Sequence, residues 1–111
     1  MAELIGVVLR TKDRARTAAF YQALGIEGSE HRHGGPLHTE LARCADNFVV
    51  ELYAMSERFP TDAVMVRVGR CTDALATLAR AGFDTSVGPV GEGFAYVRDP
   101  DGRMVMLMQD P

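Results

Sequence analysis

Several things are scarce in this 111-residue sequence, and each scarcity excludes a class of protein. No apolar run reaches the length needed to cross a bilayer, so a membrane span is not expected. Met1-Ala2-Glu3 runs straight into a strand pattern, so a secretory signal is not expected either, and the cytoplasm is the expected location. There is no basic stripe: the positive charge is nearly all arginine, scattered along the chain, and the balance is -3, which argues against nucleic acid as a direct partner. Cysteine is limited to Cys44 and Cys71, at a separation that matches no metal-binding spacing, and both read as free thiols in a reducing compartment. The 47% hydrophobic content, by contrast, is that of a soluble globular protein, and a chain of this length buries about two-thirds of its unfolded surface as a single domain.

The most informative stretch runs from Phe94 to Met108 and reads as a β-hairpin. Asp99-Pro100-Asp101-Gly102 is turn chemistry: Pro100 presets φ at the first central position of a type I turn, and Gly102 takes the positive φ that follows. Alternation splits the flanking residues between two faces. Ala95, Val97, Val105 and Leu107 form a small, branched set suited to packing under a helix. Phe94, Tyr96, Met104, Met106 and Met108 form a large, soft set with a polar tip. A hairpin with two apolar faces has a second surface to cover.

In chain order, residues 4–10 alternate as a strand, Ile5, Val7 and Leu9 against Gly6, Val8 and Arg10. Asp13 is an N-cap for a helix carrying Ala15, Ala18, Ala19, Tyr21 and Leu24, which Gly25 stops. Residues 27–42 hold two weaker strands broken by Gly34-Gly35-Pro36. Residues 47–53 form a strand with Phe48, Val50 and Leu52 opposite Val49, Glu51 and Tyr53, and residues 55–61 read as a linker. The pattern then repeats: a strand with Val64, Val66 and Val68 opposite Ala63, Met65 and Arg67, a helix capped by Thr72 and closed by Gly82, a weak strand around residues 85–87, and the hairpin. The expected fold is therefore α+β, two βαβββ modules in tandem over about residues 3–54 and 62–109. Curved mixed sheets would enclose a cup lined by Gly6, Val8, Arg10, Val49, Glu51, Tyr53, Ala63, Met65, Arg67 and the methionines of the last strand.

Phe20-Tyr21-Gln22-Ala23-Leu24-Gly25 after the first strand, with Tyr96-Val97-Arg98-Asp99-Pro100-Asp101-Gly102 before the last, resembles the vicinal oxygen chelate superfamily. That superfamily includes glyoxalase I, extradiol dioxygenases, fosfomycin-inactivating enzymes and bleomycin resistance proteins. The resemblance covers nearly the whole chain and implies paired modules around a U-shaped cup and a homodimer. It also implies four positions for a divalent ion, which here fall on Gly6, Glu51, Ala63 and Met106. Glu51 alone is a suitable donor. Gly6 and Ala63 have no donor atom, and a thioether is a poor ligand for hard or borderline ions. Catalytic zinc keeps three protein ligands, so no metal and no cofactor are expected there.

Two other features bear on chemistry. His31 and His33 share a strand face at a legitimate ligand spacing, with His38 near in sequence, but they flank the Gly-Gly-Pro turn and read as a solvated loop edge. Glu51, facing inward, needs a partner, and Arg10 and Arg67 have the right parity to supply one. The expected function is metal-free binding and sequestration of a bulky apolar or aromatic small molecule, as in the antibiotic-holding resistance proteins. Its ligand-binding residues would be Phe94, Tyr96, Met65, Met104, Met106, Met108, Tyr53, Glu51, Arg10 and Arg67. The alternative is a lyase or isomerase with a displaced metal, or with Glu51 as general base.

Overall fold

A computed structural model describes residues 2–32, 34–42, 44, 46–86 and 90–111. The chain divides into two compact units, one of Gly6–Asp62 and one of Ala63–Pro111 with the start of the first strand up to Ile5. The first unit contains β1 (Glu3–Thr11) from Gly6 onward, α1 (Arg14–Ala23), β2 (Gly28–His31), β3 (His38–Leu41) and β4 (Val49–Ala54). The second contains β5 (Ala63–Val68), α2 (Cys71–Arg80), β6 (Val90–Gly91), β7 (Phe94–Arg98) and β8 (Met104–Gln109). Strand order is β2-β3-β4-β1 in the first and β5-β8-β7-β6 in the second, with β1–β4 and β5–β8 parallel and the remaining neighbours antiparallel. The element order βαβββ thus occurs twice. Among the described residues no helix is long and apolar enough to cross a membrane.

Local chemistry explains the helix ends. Asp13 caps α1 by accepting the Arg16 N–H at 3.0 Å. Gly25 and Gly82 both take positive φ, 89° and 91°, and close the two helices with the same pair of bonds. In the first, Gly25 N–H donates to Gln22 O and Ile26 N–H to Tyr21 O; in the second, Gly82 N–H donates to Ala79 O and Phe83 N–H to Leu78 O. The start of α2 differs from expectation. Its N-cap is Arg70 and carries no side-chain cap bond, so Thr72 sits inside the first turn. The capping acceptor comes from β8 instead: Gln109 Oε1 accepts the Cys71 N–H at 3.0 Å. Position alone made Thr72 attractive; a distant strand end took the role.

Two strands also differ from expectation. Asn47 has φ 61°, so the chain is still turning there and β4 begins at Val49. Thr85 and Ser86 lie outside any strand, Val87 lies outside the described residues, and the strand before the hairpin is the short Val90–Gly91. Ser86 bonds through both its N–H and its hydroxyl to Asp84, a local turn that competes with extended pairing.

Each sheet buries its branched face. In the first unit Val7, Leu9, Leu41, Val50 and Leu52 share the face that carries Thr39, whose hydroxyl accepts from Arg14 of α1 at 2.6 Å. Leu52 is completely buried, whereas α1 has no fully buried residue and leaves Phe20 and Leu24 exposed. In the second unit Val68, Cys71, Ala95, Val97 and Leu107 form the core, with Ala74, Leu75 and Leu78 of α2 packed on it. Burial pushes the Cys71 thiol pKa up, which keeps it an inert core group.

The hairpin turn matches its sequence. Gly102 N–H donates to Asp99 O at 2.9 Å with Gly102 at φ 87°, and Asp99 N–H donates to Arg103 O at 2.8 Å. The Asp99 carboxylate accepts the N–H groups of Arg103 and Asp101, both at 2.9 Å, and the Arg103 guanidinium at 3.2 Å. Chiefly through the Arg103 N–H, these bonds hold its carboxyl below the usual range. A depressed carboxyl stabilises the fold above its unfolded pKa and loses that contribution as pH falls through the lower folded value. Asp99→Ala should therefore lower the thermal midpoint at pH 7, and the gap from the parent should close below about pH 4; melts across pH 2–7 followed by circular dichroism check both.

Candidate functional site

Register builds the site in the first unit. Across β2-β3-β4-β1 the paired residues are His31↔His38 and Arg10↔Tyr53, and the β3–β4 register that sets Glu40 opposite Glu51 continues to His38 opposite Tyr53. His31, His38, Tyr53 and Arg10 therefore lie abreast on the face turned away from α1. They form a row of flat groups. His31 and His38 stack at 6.1 Å between centroids, His38 and Tyr53 at 4.5 Å with 10° between planes, and the Arg10 guanidinium lies 4.9 Å from the Tyr53 centroid and 4.6 Å from that of Phe59.

One step along the strands the same face carries Ser29, Glu40, Glu51 and Val8 in a second row. The two rows are joined by imidazole–carboxylate contacts: His38 Nε2 to Glu51 Oε2 at 3.1 Å and His31 Nε2 to Glu40 Oε2 at 3.6 Å. His38 is 1% exposed and Glu51 9%, so the inner pair is inside the protein, whereas His31 and Glu40 reach solvent. Ser29 Oγ lies 2.9 Å from His31 Nε2, and Pro36 O lies 3.4 Å from His38 Nδ1.

This arrangement gives Glu51 a partner that the alternation of its strand did not name. That partner is His38, at 3.1 Å. Arg67 binds Glu3 at 2.6 Å and Asp110 at 3.6 Å, and Arg10 donates to Ala54 O at 3.2 Å while covering two aromatic rings. His31 does reach solvent, but it lies in β2 and is paired within the sheet rather than in a loop; His33 lies outside the described residues. Sequence reasoning placed Arg10, Glu51 and Tyr53 on one face but missed His38 and Glu40. The signal for them was present: their separation by two residues, next to a turn that folds their strand back beside Glu51.

The second unit presents a different surface. Ala63, Met65 and Arg67 of β5, Met104, Met106 and Met108 of β8, and Phe94, Tyr96 and Arg98 of β7 share the face away from α2. Met65 and Met104 are 4% and 2% exposed and belong to the interior. Met106, Met108, Phe94 and Tyr96 are only partly covered. Phe94 and Tyr96 meet edge to face at 5.8 Å, and the Phe94 ring lies over Gly91, where any Cβ would run into it.

No family model matches the chain, and no curated protein does. Solved structures do. A glyoxalase/bleomycin resistance protein/dioxygenase superfamily member from Vibrio splendidus 12B01 aligns over 99% of this chain and 100% of its own, with TM-score 0.67 and 17% identity. Methylmalonyl-CoA epimerase from Mycobacterium tuberculosis aligns over 97% and 87%, with TM-score 0.69 and 17% identity. The chain also aligns over 96% of its length with 42% of the 2,2',3-trihydroxybiphenyl 1,2-dioxygenase of Sphingomonas wittichii RW1, at TM-score 0.61 and 22% identity. The protein is a mixed α+β protein built on βαβββ order. Its fold is that of the glyoxalase/bleomycin resistance protein/dioxygenase superfamily.

The residues at the ion positions implied by that resemblance do not fit an ion. Gly6 offers no donor, and a Cβ built there would run into the Val49 carbonyl on the paired strand, so no ligating side chain is accommodated. Ala63 is buried and has no donor, and Met106 has a thioether. Gly6→Ala should cost about 1–3 kcal/mol through this overpacking, measurable as a lower urea midpoint with an unchanged slope.

Proposed function

We propose that this protein binds and sequesters a bulky, largely apolar or aromatic small molecule, of the kind represented by antibiotics and other natural products. The carrying observation is the half-covered face of Phe94, Tyr96, Met106 and Met108, with the two rings edge to face at 5.8 Å. Aromatic faces stack on planar ligands, and thioethers adapt to ring edges of different shape. A protein whose task is to hold a molecule needs such a surface and no reacting group. Arg98, on the same face and exposed, supplies positive charge for an acidic substituent. The ion-position residues described above support a reading without the superfamily's shared metal.

A second reading rests on the His38–Glu51 pair at 3.1 Å. A carboxylate beside an imidazole is equipped to take a proton, so Glu51 is the residue that would act as general base in an isomerase or lyase.

Assembly as a homodimer belongs to the same proposal. Phe20 and Leu24 project from α1 at 63% and 66% exposure, large apolar groups of the sort a second subunit covers. Light scattering at micromolar concentration should give twice the chain mass; a monomer would remove the dimer from the proposal.

Binding of a planar probe such as anilinonaphthalene sulfonate, followed by calorimetry, separates the two readings. Phe94→Ala and Tyr96→Ala should each weaken it by about ten- to hundredfold, the loss of a stacking partner plus its buried area. Glu51→Gln should leave it within a few-fold. Natural ligand retained through gentle purification and identified by native mass spectrometry should come back chemically unchanged. Ligand that the parent converts and Glu51→Gln does not would replace sequestration by catalysis.

A further inference from the structure

We propose that His38, Glu40 and Glu51 form a binding site for one borderline divalent transition ion, Zn²⁺ or Co²⁺ in kind, within the first unit. This goes beyond the small-molecule reading and does not depend on it. One ligand atom from each of the three residues lies within 4.8 Å of the other two. Glu51 is the one residue shared with the ion positions implied by the superfamily resemblance. The other two donors come from β3, so the whole set sits on two neighbouring strands.

The tautomer of His38 carries the argument. Its Nδ1 faces Pro36 O at 3.4 Å, and a carbonyl only accepts, so Nδ1 bears the hydrogen. In the neutral ring Nε2 is then a lone pair, and it points at a carboxylate oxygen of Glu51 only 3.1 Å away. Two acceptors at that separation repel unless a cation joins them. A proton is one solution and leaves Glu40 as a second carboxylate directly across the strand from Glu51, an unfavourable pairing. A divalent ion answers both: it binds the lone pair and balances the two carboxylate charges.

The geometry suits it. Two ligands at about 2.0–2.1 Å from one ion stand about 2.8–3.0 Å apart in an octahedral and about 3.3–3.4 Å in a tetrahedral arrangement, and the 3.1 Å observed lies between these, within a small side-chain adjustment of either. Glu40, 36% exposed, is free to swing through the remaining distance. The supporting contacts are those of a metal-ligating histidine, whose second nitrogen donates to a carbonyl. The His38 ring is also clamped by Tyr53 at 4.5 Å, and Glu40 is steadied by His31. One imidazole with two carboxylates selects Zn²⁺, Mn²⁺, Fe²⁺, Co²⁺ or Ni²⁺ over soft Cu⁺. With three protein ligands, a coordination position is left on the exposed Glu40 side.

Co²⁺ titration of the chelator-treated full chain is the test. The parent should develop visible d–d bands that saturate at one ion per chain and are abolished by Zn²⁺. Glu51→Gln and Glu40→Gln, which keep side-chain shape, should each weaken Co²⁺ by at least about tenfold, while Phe94→Ala should not. His38→Gln should abolish the bands, with circular dichroism confirming that it folds. Binding to the folded state also raises the melting midpoint, so Zn²⁺ should stabilise the parent and leave Glu51→Gln unmoved. A parent without cobalt bands or a Zn²⁺-dependent shift at millimolar ion overturns the proposal and leaves a proton between His38 and Glu51. Equal binding by parent and Glu51→Gln overturns it as well, by placing the ion elsewhere.

Discussion

Cross-strand register is the constraint on which the site of the first unit depends. Side chains on a strand alternate with a period of two, so a slip of one residue would send every one of them to the other face. With the register observed, His31, His38, Tyr53 and Arg10 lie abreast and their flat groups stack in sequence. The same register brings two carboxylates side by side in the next row. The apolar residues of the opposite face enforce it: Leu52 is wholly buried and Leu41 nearly so, and neither tolerates transfer to the polar face. Packing beneath α1 thereby fixes chemistry on the side away from it.

The two units use one element order for opposite purposes. The face away from the helix is polar and aromatic in the first unit, and soft and sulfur-rich in the second. A buried imidazole–carboxylate pair is costly to desolvate and contributes little to net stability. Such a pair is retained for specificity or chemistry more readily than for folding. The Met and aromatic face costs nothing to cover and is adaptable in shape. Likeness of fold to an epimerase and a dioxygenase therefore carries no activity across; what each face does follows from the side chains on it.

Gly6 illustrates how a site is closed at the level of backbone. Losing a ligand by substitution leaves space that another side chain can refill. Here the β4 carbonyl of Val49 occupies the direction a side chain would take, so the position is shut to any donor. Glu51, two residues beyond Val49 on β4, has its carboxylate beside His38.

What the sequence determined by itself was local. The capping Asp13, the Schellman endings at Gly25 and Gly82, the bulged turn at Asp99–Gly102 and the division of each long strand into two faces all follow from steric and hydrogen-bonding preferences within a few residues. The likeness between the two halves was legible for the same reason. What only the tertiary structure decided was pairing between segments far apart in the chain. Nothing near Thr72 reveals that Gln109 will cap its helix, and nothing near Glu51 reveals whether an arginine or a histidine will meet it. Alternation names the face on which a side chain lies. Which neighbour stands beside it depends on strand order and register, and these are set by the packing of the whole sheet.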